Sequence, residues 1–463
     1  MAVAGNIMLG KFCMPQSKIV IHSSQPKFTR ILKNLIQSGL EAADPGQAMK
    51  RLITRKDHTL RVNSVRYDLS AYQRIVCVGA GKASGHMAVA LEQILGEHLE
   101  GGMVIVKDGN GSPCENIRVV EANHPLPDVR GVRATQQILN SVGSLTKRDL
   151  LIVLLSGGAS SLLCAPTQGL TLTDTRKTTN LLLRCGATIH ELNTVRKHLS
   201  AVKGGQLAKA TKAQILTVIL SDVLEDDLAT IGSGPTVPDP TTFQEAKTIL
   251  EHYQIWNTVP ENVSNHLDEG IRGLVPETWK NRSRHSSRHQ SIILANNQTA
   301  IDGLTKEAKR LGLRPCFLET PLQGEAKDLG TILGAMAKDI REFGNPVRPP
   351  ACLLVGGEPT VTITGKGKGG RAQECVLAAA QELAGLPNIV VAGFGTDGTD
   401  GPTDVAGAMV DGKTFQRAIK NGLSIENMLD RHASYTFFKQ VGGHIITGPT
   451  HTNVNDIYLI IAL

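Results

Sequence analysis

Short apolar runs that end in a glycine or serine turn and pass straight into a helical pattern recur along this chain. Few folds accommodate such a pattern. Arg74 to Val78 runs into Gly79-Ala80-Gly81-Lys82, and apolar residues at helical spacing follow from about Ser84 to Leu99. Leu150 to Leu155 delivers SGGASS at Ser156 to Ser161, and Ile215 to Leu220 delivers Ser221-Asp222. Fully apolar runs of this length are the strands of a parallel sheet covered on both faces. Alternating with helices, they form right-handed βαβ units. Ligands of such sheets sit beyond the carboxyl ends of the strands, so the three turns are expected along one edge.

A second set follows. Ile292 to Leu294, Cys316 to Leu318, Cys352 to Val355, Ile389 to Phe394 and Asp456 to Ala462 read as strands, with helices at about Thr299 to Leu311, Glu325 to Phe343 and Ala372 to Leu383. Between the sets lies ETWKNRSRHSSRHQ, Glu277 to Gln290, basic and without apolar periodicity. A chain of 463 residues exceeds one ordinary domain. The reading is therefore a leader or disordered tail at 1–27, a Rossmann-like α/β domain at 28–280 and a second α/β domain at 291–463, each of three layers with mainly parallel sheets.

Composition narrows the function. Aromatic residues make up only 3% of the chain, too few for the stacking platforms of single-strand nucleic-acid binders. The net charge of +7 is modest for this length, and an anionic substrate explains local basic loops better than nucleic acid does. The eight cysteines include no CxxC and no zinc spacing, so the chain reads as a protein of a reducing compartment without structural metal. No stretch approaches the ~20 apolar residues of a membrane helix. Met1 to Leu40 carries Lys11, Lys18, Lys27, Arg30 and Lys33 without an acidic residue. This leaves a mitochondrial leader open beside a cytoplasmic location.

Six motifs bear chemistry. In GAGK, Gly79 and Gly81 shape a turn that presents Lys82 to a phosphate or hydroxyl, or merely to solvent. The spacing is neither a Walker A loop nor GxGxxG. In SGGASS, Ser156, Gly157, Gly158 and Ser160 suit a phosphate or carboxylate nest, or close packing. NTVRKHLSAVKGG carries Arg196 and Lys203 on a basic face that is either solvated or in contact with an anion. Asp222 directly follows its strand and serves as a general base, a Mg²⁺ ligand or a helix cap. GTDGTDGPTD spaces Asp397 and Asp400 for a hard cation or for Asx turns. The densest stretch is GGEPTVTITGKGKGGRAQE, Gly356 to Glu374, read as hairpin, glycine loop and helix start. Its Gly357, Glu358, Gly367, Gly369 and Gly370 surround a basic loop suited to oxyanions, ending at Arg371 where the helix dipole points. Of the scattered histidines, His124 in its His-Pro turn stands apart from His198, His444 and His451.

Together, GAGKAS, EANHPLPD, LLSGGASSLL, NTVRKHLSAVKGGQLA, SDVLEDDLATIGSGPTVPD, GGEPTVTITGKGKGGRAQE and GTDGTDGPTD, in this order, resemble the class II glycerate kinases, whose C-terminal part is called MOFRL. The resemblance implies two α/β domains facing across a cleft and ATP-dependent phosphorylation of D-glycerate to 2-phosphoglycerate with Mg²⁺. It implies Lys82, Asp222 and Arg371 as catalytic residues. On this reading Arg371→Ala removes turnover and leaves the fold intact. Asp222, Asp397 and Asp400 are the metal candidates. The partners are D-glycerate and ATP, with neither nucleic acid nor membrane and a homodimer left open. Three positions depart from the family, where glycine is common: Glu225, Asn123 and His451. The rival readings are an NAD(P)-dependent hydroxypyruvate reductase and a non-catalytic sensor of phosphorylated metabolites. Against the first, Lys107 precedes Asp108 where a ribose-binding acid would stand.

Overall fold

A computed structural model describes residues 19–280 and 288–463. Its first sheet has six strands, all parallel, in the spatial order Ile117–Ala122, Gly101–Lys107, Arg74–Ala80, Asp149–Leu155, Gln214–Leu220, His289–Ala295. Counted along the chain, the order is 3-2-1-4-5-6, the doubly wound arrangement. It reverses between Arg74–Ala80 and Asp149–Leu155, the point at which sheets of this kind bind their ligands beyond the strand ends. GAGK and SGGASS leave those two strands side by side.

Burial explains why these runs are strands. Asp149–Leu155 is buried along its whole length. Successive residues of Arg74–Ala80 enter two apolar clusters on opposite faces, with Ile75 and Cys77 in one and Val76, Val78 and Ala80 in the other.

The second sheet runs Val20–Ile21, His444–Ile446, Gly407–Asp411, Ile389–Gly395, Asp456–Ala462, Ala351–Gly357, Arg314–Leu322. Only its last pair is parallel, and the others are antiparallel. The parallel expectation therefore holds for the first sheet, while the second is mixed. Asp456–Ala462 inserts between Ala351–Gly357 and Ile389–Gly395 and runs against both. A strand buried on both faces reads the same in either direction, so its sense is not visible in the sequence. One consequence matters for the site. The start of this strand lies level with the ends of its neighbours, and Asp456 pairs with Gly357 and Gly395.

Three further placements differ from expectation. His289–Ala295 closes the first sheet rather than opening the second. Val20–Ile21, assigned to the leader, is an edge strand of the second sheet; residues 1–18 of that leader lie outside the described residues, as do 281–287 of the basic break. From Glu358 to Gly370 there is an irregular loop rather than a hairpin, with one isolated bridge from Thr360 to Glu325.

The two sheets share a core. One apolar cluster passes from Cys77 and Leu154 through Leu32, Leu35 and Leu304 to Leu354 and Leu459. The Pro26–Ala42 helix lies against Asn297–Arg310 so closely that Ser38 Oγ donates to the Gly303 carbonyl at 3.0 Å. The seven described cysteines are unpaired, with Cys77, Cys164, Cys352 and Cys375 buried. Among the described residues no helix is long and apolar enough to cross a membrane.

Candidate active site

The first sheet supplies one wall. Gly81 has φ +137°, and a methyl group on it would fall 2.1 Å from Ser156 Oγ. One on Gly79 would fall 2.2 Å from the Leu154 carbonyl oxygen. These glycines let the two turns interlock. The Lys82 N–H donates to the Gly157 carbonyl at 2.8 Å, and the Ala83 N–H donates to Ser156 Oγ at 3.0 Å. The role of Ser156 is to fix the turn that aims Lys82. The Lys82 ammonium crosses to the second sheet and pairs with Asp397 at 3.1 Å. Burial opposes ionisation of Asp397, but Lys82 and the Thr399 donors outweigh it and hold the carboxyl below its usual range.

Gly157 and Gly158 form the floor. Their N–H groups donate to no described residue, which leaves two adjacent backbone donors open. Asp222 lies on one side: a methyl on Gly157 would fall 2.1 Å from Asp222 Oδ2. His124 lies on the other: a methyl on Gly158, whose φ is +85°, would fall 2.9 Å from the imidazole. Asp222 Oδ2 accepts from Asn453 Nδ2 at 3.0 Å, a second bond between the sheets. Burial, with the negative charge of Glu358 added, pushes the Asp222 carboxyl up to about 6 against the pull of Lys82. Burial, Lys82 and Lys107 together push His124 down to about 4, so it is neutral near pH 7.

The second sheet supplies the facing wall. Arg371 opens the Arg371–Glu382 helix. Its Nε and Nη2 donate to Asp456 Oδ2 and Oδ1 at 2.7 and 3.1 Å, and its Nη1 donates to Glu358 Oε1 at 2.9 Å. Burial raises the Asp456 carboxyl despite Arg371. Asp400, a metal candidate from the sequence, caps this helix instead. It accepts from the Ala372 N–H at 3.0 Å, the Gln373 N–H at 2.8 Å and Gln373 Nε2 at 2.9 Å. No group of three metal-ligating side chains converges among the described residues.

The glycine loop also packs rather than opens. Methyl groups on Gly365 and Gly367 would strike the backbone at Arg431 and His432, and one on Gly370 would strike Asp400. One on Gly369 would meet Ser434, and one on Gly357 would meet Leu322. The Gly367 N–H is already spent on the Arg431 carbonyl at 2.7 Å. Ser160 bonds Ser233 at 2.7 Å, and Lys203 donates to the Ser160 and Leu163 carbonyls.

This geometry has known counterparts. The DUF4147 family, a domain of unknown function, matches residues 31–268, and the MOFRL family matches 351–456. Glycerate 2-kinase of Pyrococcus horikoshii is 43% identical over 92% of this chain and 96% of its own length. The chain belongs to the class II glycerate kinases. The crystal structure of a glycerate kinase from Thermotoga maritima superposes with a TM-score of 0.83 at 35% identity, covering 95% of this chain and 100% of that one. An Agrobacterium vitis protein with a provisional hydroxypyruvate reductase name is 37% identical over 93% of this chain and 94% of its own.

For this glycerate kinase relative, the structure brings Lys82, Asp222, Asp397, Glu358 and Arg371 to one cleft and adds three residues. Asp456 opens its strand, whereas a parallel sheet holds its ligand groups beyond the carboxyl ends of its strands, so the sequence pattern does not point to it. Asn453 lies in the preceding polar TNVND run, which signals a turn entering a buried strand. His124 was visible only as a His-Pro turn. Two of the three departures from the family also acquire a cause. Glu225 and His451 have φ of +65° and +60°, the left-handed region that suits glycine. His451 is packed there by a stacked imidazole, His86, at 4.0 Å between ring centroids. Glu225 is exposed and has no such compensation. Glu225→Gly is therefore expected to stabilise the protein by about 1 kcal/mol, the cost of a left-handed non-glycine residue. A higher urea midpoint at unchanged m-value checks it.

Proposed function

We propose that this protein transfers the γ-phosphoryl group of ATP to the 2-hydroxyl of D-glycerate, giving 2-phosphoglycerate and ADP. The observation that carries the reading is Asp222. It is a carboxylate poised near neutrality at the floor of a cleft that also holds the cations Lys82 and Arg371 and two open N–H donors. On this proposal Asp222 takes the hydroxyl proton as the new O–P bond forms and the bond to the β-phosphate oxygen breaks. Lys82 and the Gly157 and Gly158 N–H groups neutralise charge spreading over the phosphoryl oxygens. Neutral His124 offers a further hydrogen bond to the same place. Arg371, with N–H groups beyond those given to Asp456 and Glu358, faces the group from the opposite wall.

The donor set fits Mg²⁺ in the manner usual for nucleotide enzymes, in which one or two carboxylates and the phosphates hold the ion. Glu358, Asp397 and Asp222 are the hard oxygen donors of the cleft, and Asp400 is excluded by its capping role. When bound, the ion neutralises charge on the phosphates. We place the activity in the cytoplasm, and the acid-free N-terminus is the feature that would redirect it to mitochondria. The division into two α/β units is retained, with its boundary after Ala295.

The reductase reading has the provisional Agrobacterium name in its favour and Asp108 against it. This residue stands where a ribose-binding acid belongs, yet Arg130 takes both of its oxygens at 2.7 and 2.8 Å. Two assays on one preparation separate the readings. ADP release that depends on D-glycerate, without NADH or NADPH consumption on hydroxypyruvate, is expected. The reverse pattern overturns the proposal.

A further inference from the structure

Away from Lys82 and Arg371, a second concentration of positive charge is buried with nothing to balance it. Lys203 is 5% exposed, and its ammonium meets only carbonyl oxygens, among them Leu163 at 3.1 Å. Arg196, on the Ile189–His198 helix, is half buried, and its guanidinium makes no hydrogen bond or ion pair with any described residue. The titratable groups that face this pair are the two cations themselves and the Cys164 thiol, with no carboxylate. Burial lowers the Arg196 pKa, and burial together with Arg196 pushes Lys203 down to about 8. Arginine is rarely buried unpaired, because the lost hydration is not repaid.

An unspent amide donor lies on the same helix face. Asn193 precedes Arg196 by three residues and so shares its helix face. Asn193 is 4% exposed, and its Nδ2 has no partner. Its Oδ1 accepts from Ser233 Oγ at 3.0 Å, and that hydroxyl lies 2.7 Å from Ser160 Oγ. Ser160 sits in the short Ala159–Leu162 turn that begins at Gly158, so this cluster adjoins the Gly157–Gly158 floor.

We infer that Arg196 and Asn193, beside Ser160, form an oxyanion subsite for a non-transferred phosphate of the nucleotide. The inference rests on the kinase reading and extends it. Arg196 makes no hydrogen bond or ion pair with Asp222, and the charges that act on Asp222 are those of Glu358, Lys82 and Asp397. The carboxylate of glycerate is attached to the carbon that bears the 2-hydroxyl, so it must stay close to Asp222. A chain of phosphates is long enough to run from Lys82 to a second cation group. The planar fork of arginine suits a phosphate better than an ammonium would.

The test uses the full chain with Arg196→Met and Arg196→Lys variants. Calorimetry with ADP is expected to show at least a tenfold loss of affinity in R196M and partial recovery in R196K. The KM for ATP should rise at least tenfold, with the KM for D-glycerate within about twofold of wild type. R196M removes an unbalanced buried charge, so its melting temperature without ligand should stay level or rise, while the increase produced by ADP disappears. A lower melting temperature with ADP affinity retained assigns Arg196 a structural role and overturns the inference. A rise in the KM for D-glycerate with ADP affinity unchanged overturns it in favour of a carboxylate. Should the wild type bind ADP but make no 2-phosphoglycerate, the kinase reading falls, and ADP calorimetry on R196M still decides the subsite.

Discussion

Asp222→Asn is expected to lower kcat by about 10²- to 10⁴-fold, the usual contribution of a positioned general base, with the KM for ATP little changed. The substitution keeps the shape and the hydrogen bond from Asn453, and it removes a charge that the site already resists. Burial and Glu358 hold the carboxyl up near 6, so the asparagine variant should fold at least as well as wild type. The pH profile carries a second signature. A base works only when deprotonated, so kcat/KM should fall as pH drops below about 6 in the wild type. The variant should show no such limb. A variant that retains the limb together with most of its turnover would remove Asp222 from proton transfer.

Arg371→Ala is expected to lose stability as well as rate, contrary to the reading from sequence, which has the fold intact. The guanidinium is 34% exposed, but Asp456, which it grips with two bonds, is 5% exposed. Stranding that carboxylate costs roughly 3 kcal/mol, the low end for breaking a buried pair. Turnover should fall by about 10²- to 10³-fold, the scale for removing one donor to developing negative charge. The double variant Arg371→Ala with Asp456→Asn separates the effects, because the second substitution removes the stranded charge. Stability should recover while turnover stays low. Recovery of both would make Arg371 a purely structural clamp.

The first wall of the site was legible in the sequence. Apolar runs ending in GAGK, SGGAS and SD specify parallel strands whose turns meet at one edge. The doubly wound order puts two of those turns at its reversal point. The second wall was legible only in part. Asp456 belongs to an antiparallel strand and reaches the cleft with its first residue, and direction is not written into a run buried on both faces. Asp400 illustrates the opposite failure. Its spacing in GTDGTDG fits a cation loop, and only the position of the Arg371–Glu382 helix shows that its oxygens are spent on that helix. The glycines of Gly365 to Gly370 misled for a related reason. Glycine permits close approach, and here what approaches is the backbone at Arg431 and His432 rather than a ligand. Within SGGASS, Ser156 and the two glycines divide the work, the serine holding the Lys82 turn and the glycines leaving their N–H groups open. Residue type alone does not reveal that division. Arg196 was read as either solvated or anion-binding, and its burial without a carboxylate favours the second.

The central claim is phosphoryl transfer to the 2-hydroxyl of glycerate. ³¹P NMR of a reaction containing the purified protein, ATP, Mg²⁺ and D-glycerate tests it most directly, because the phosphorus resonance and its proton coupling separate the 2- and 3-phosphates. The account predicts a 2-phosphoglycerate signal that grows as ATP is consumed and is nearly absent with Asp222→Asn. A 3-phosphoglycerate signal, or ATP left intact, would contradict it.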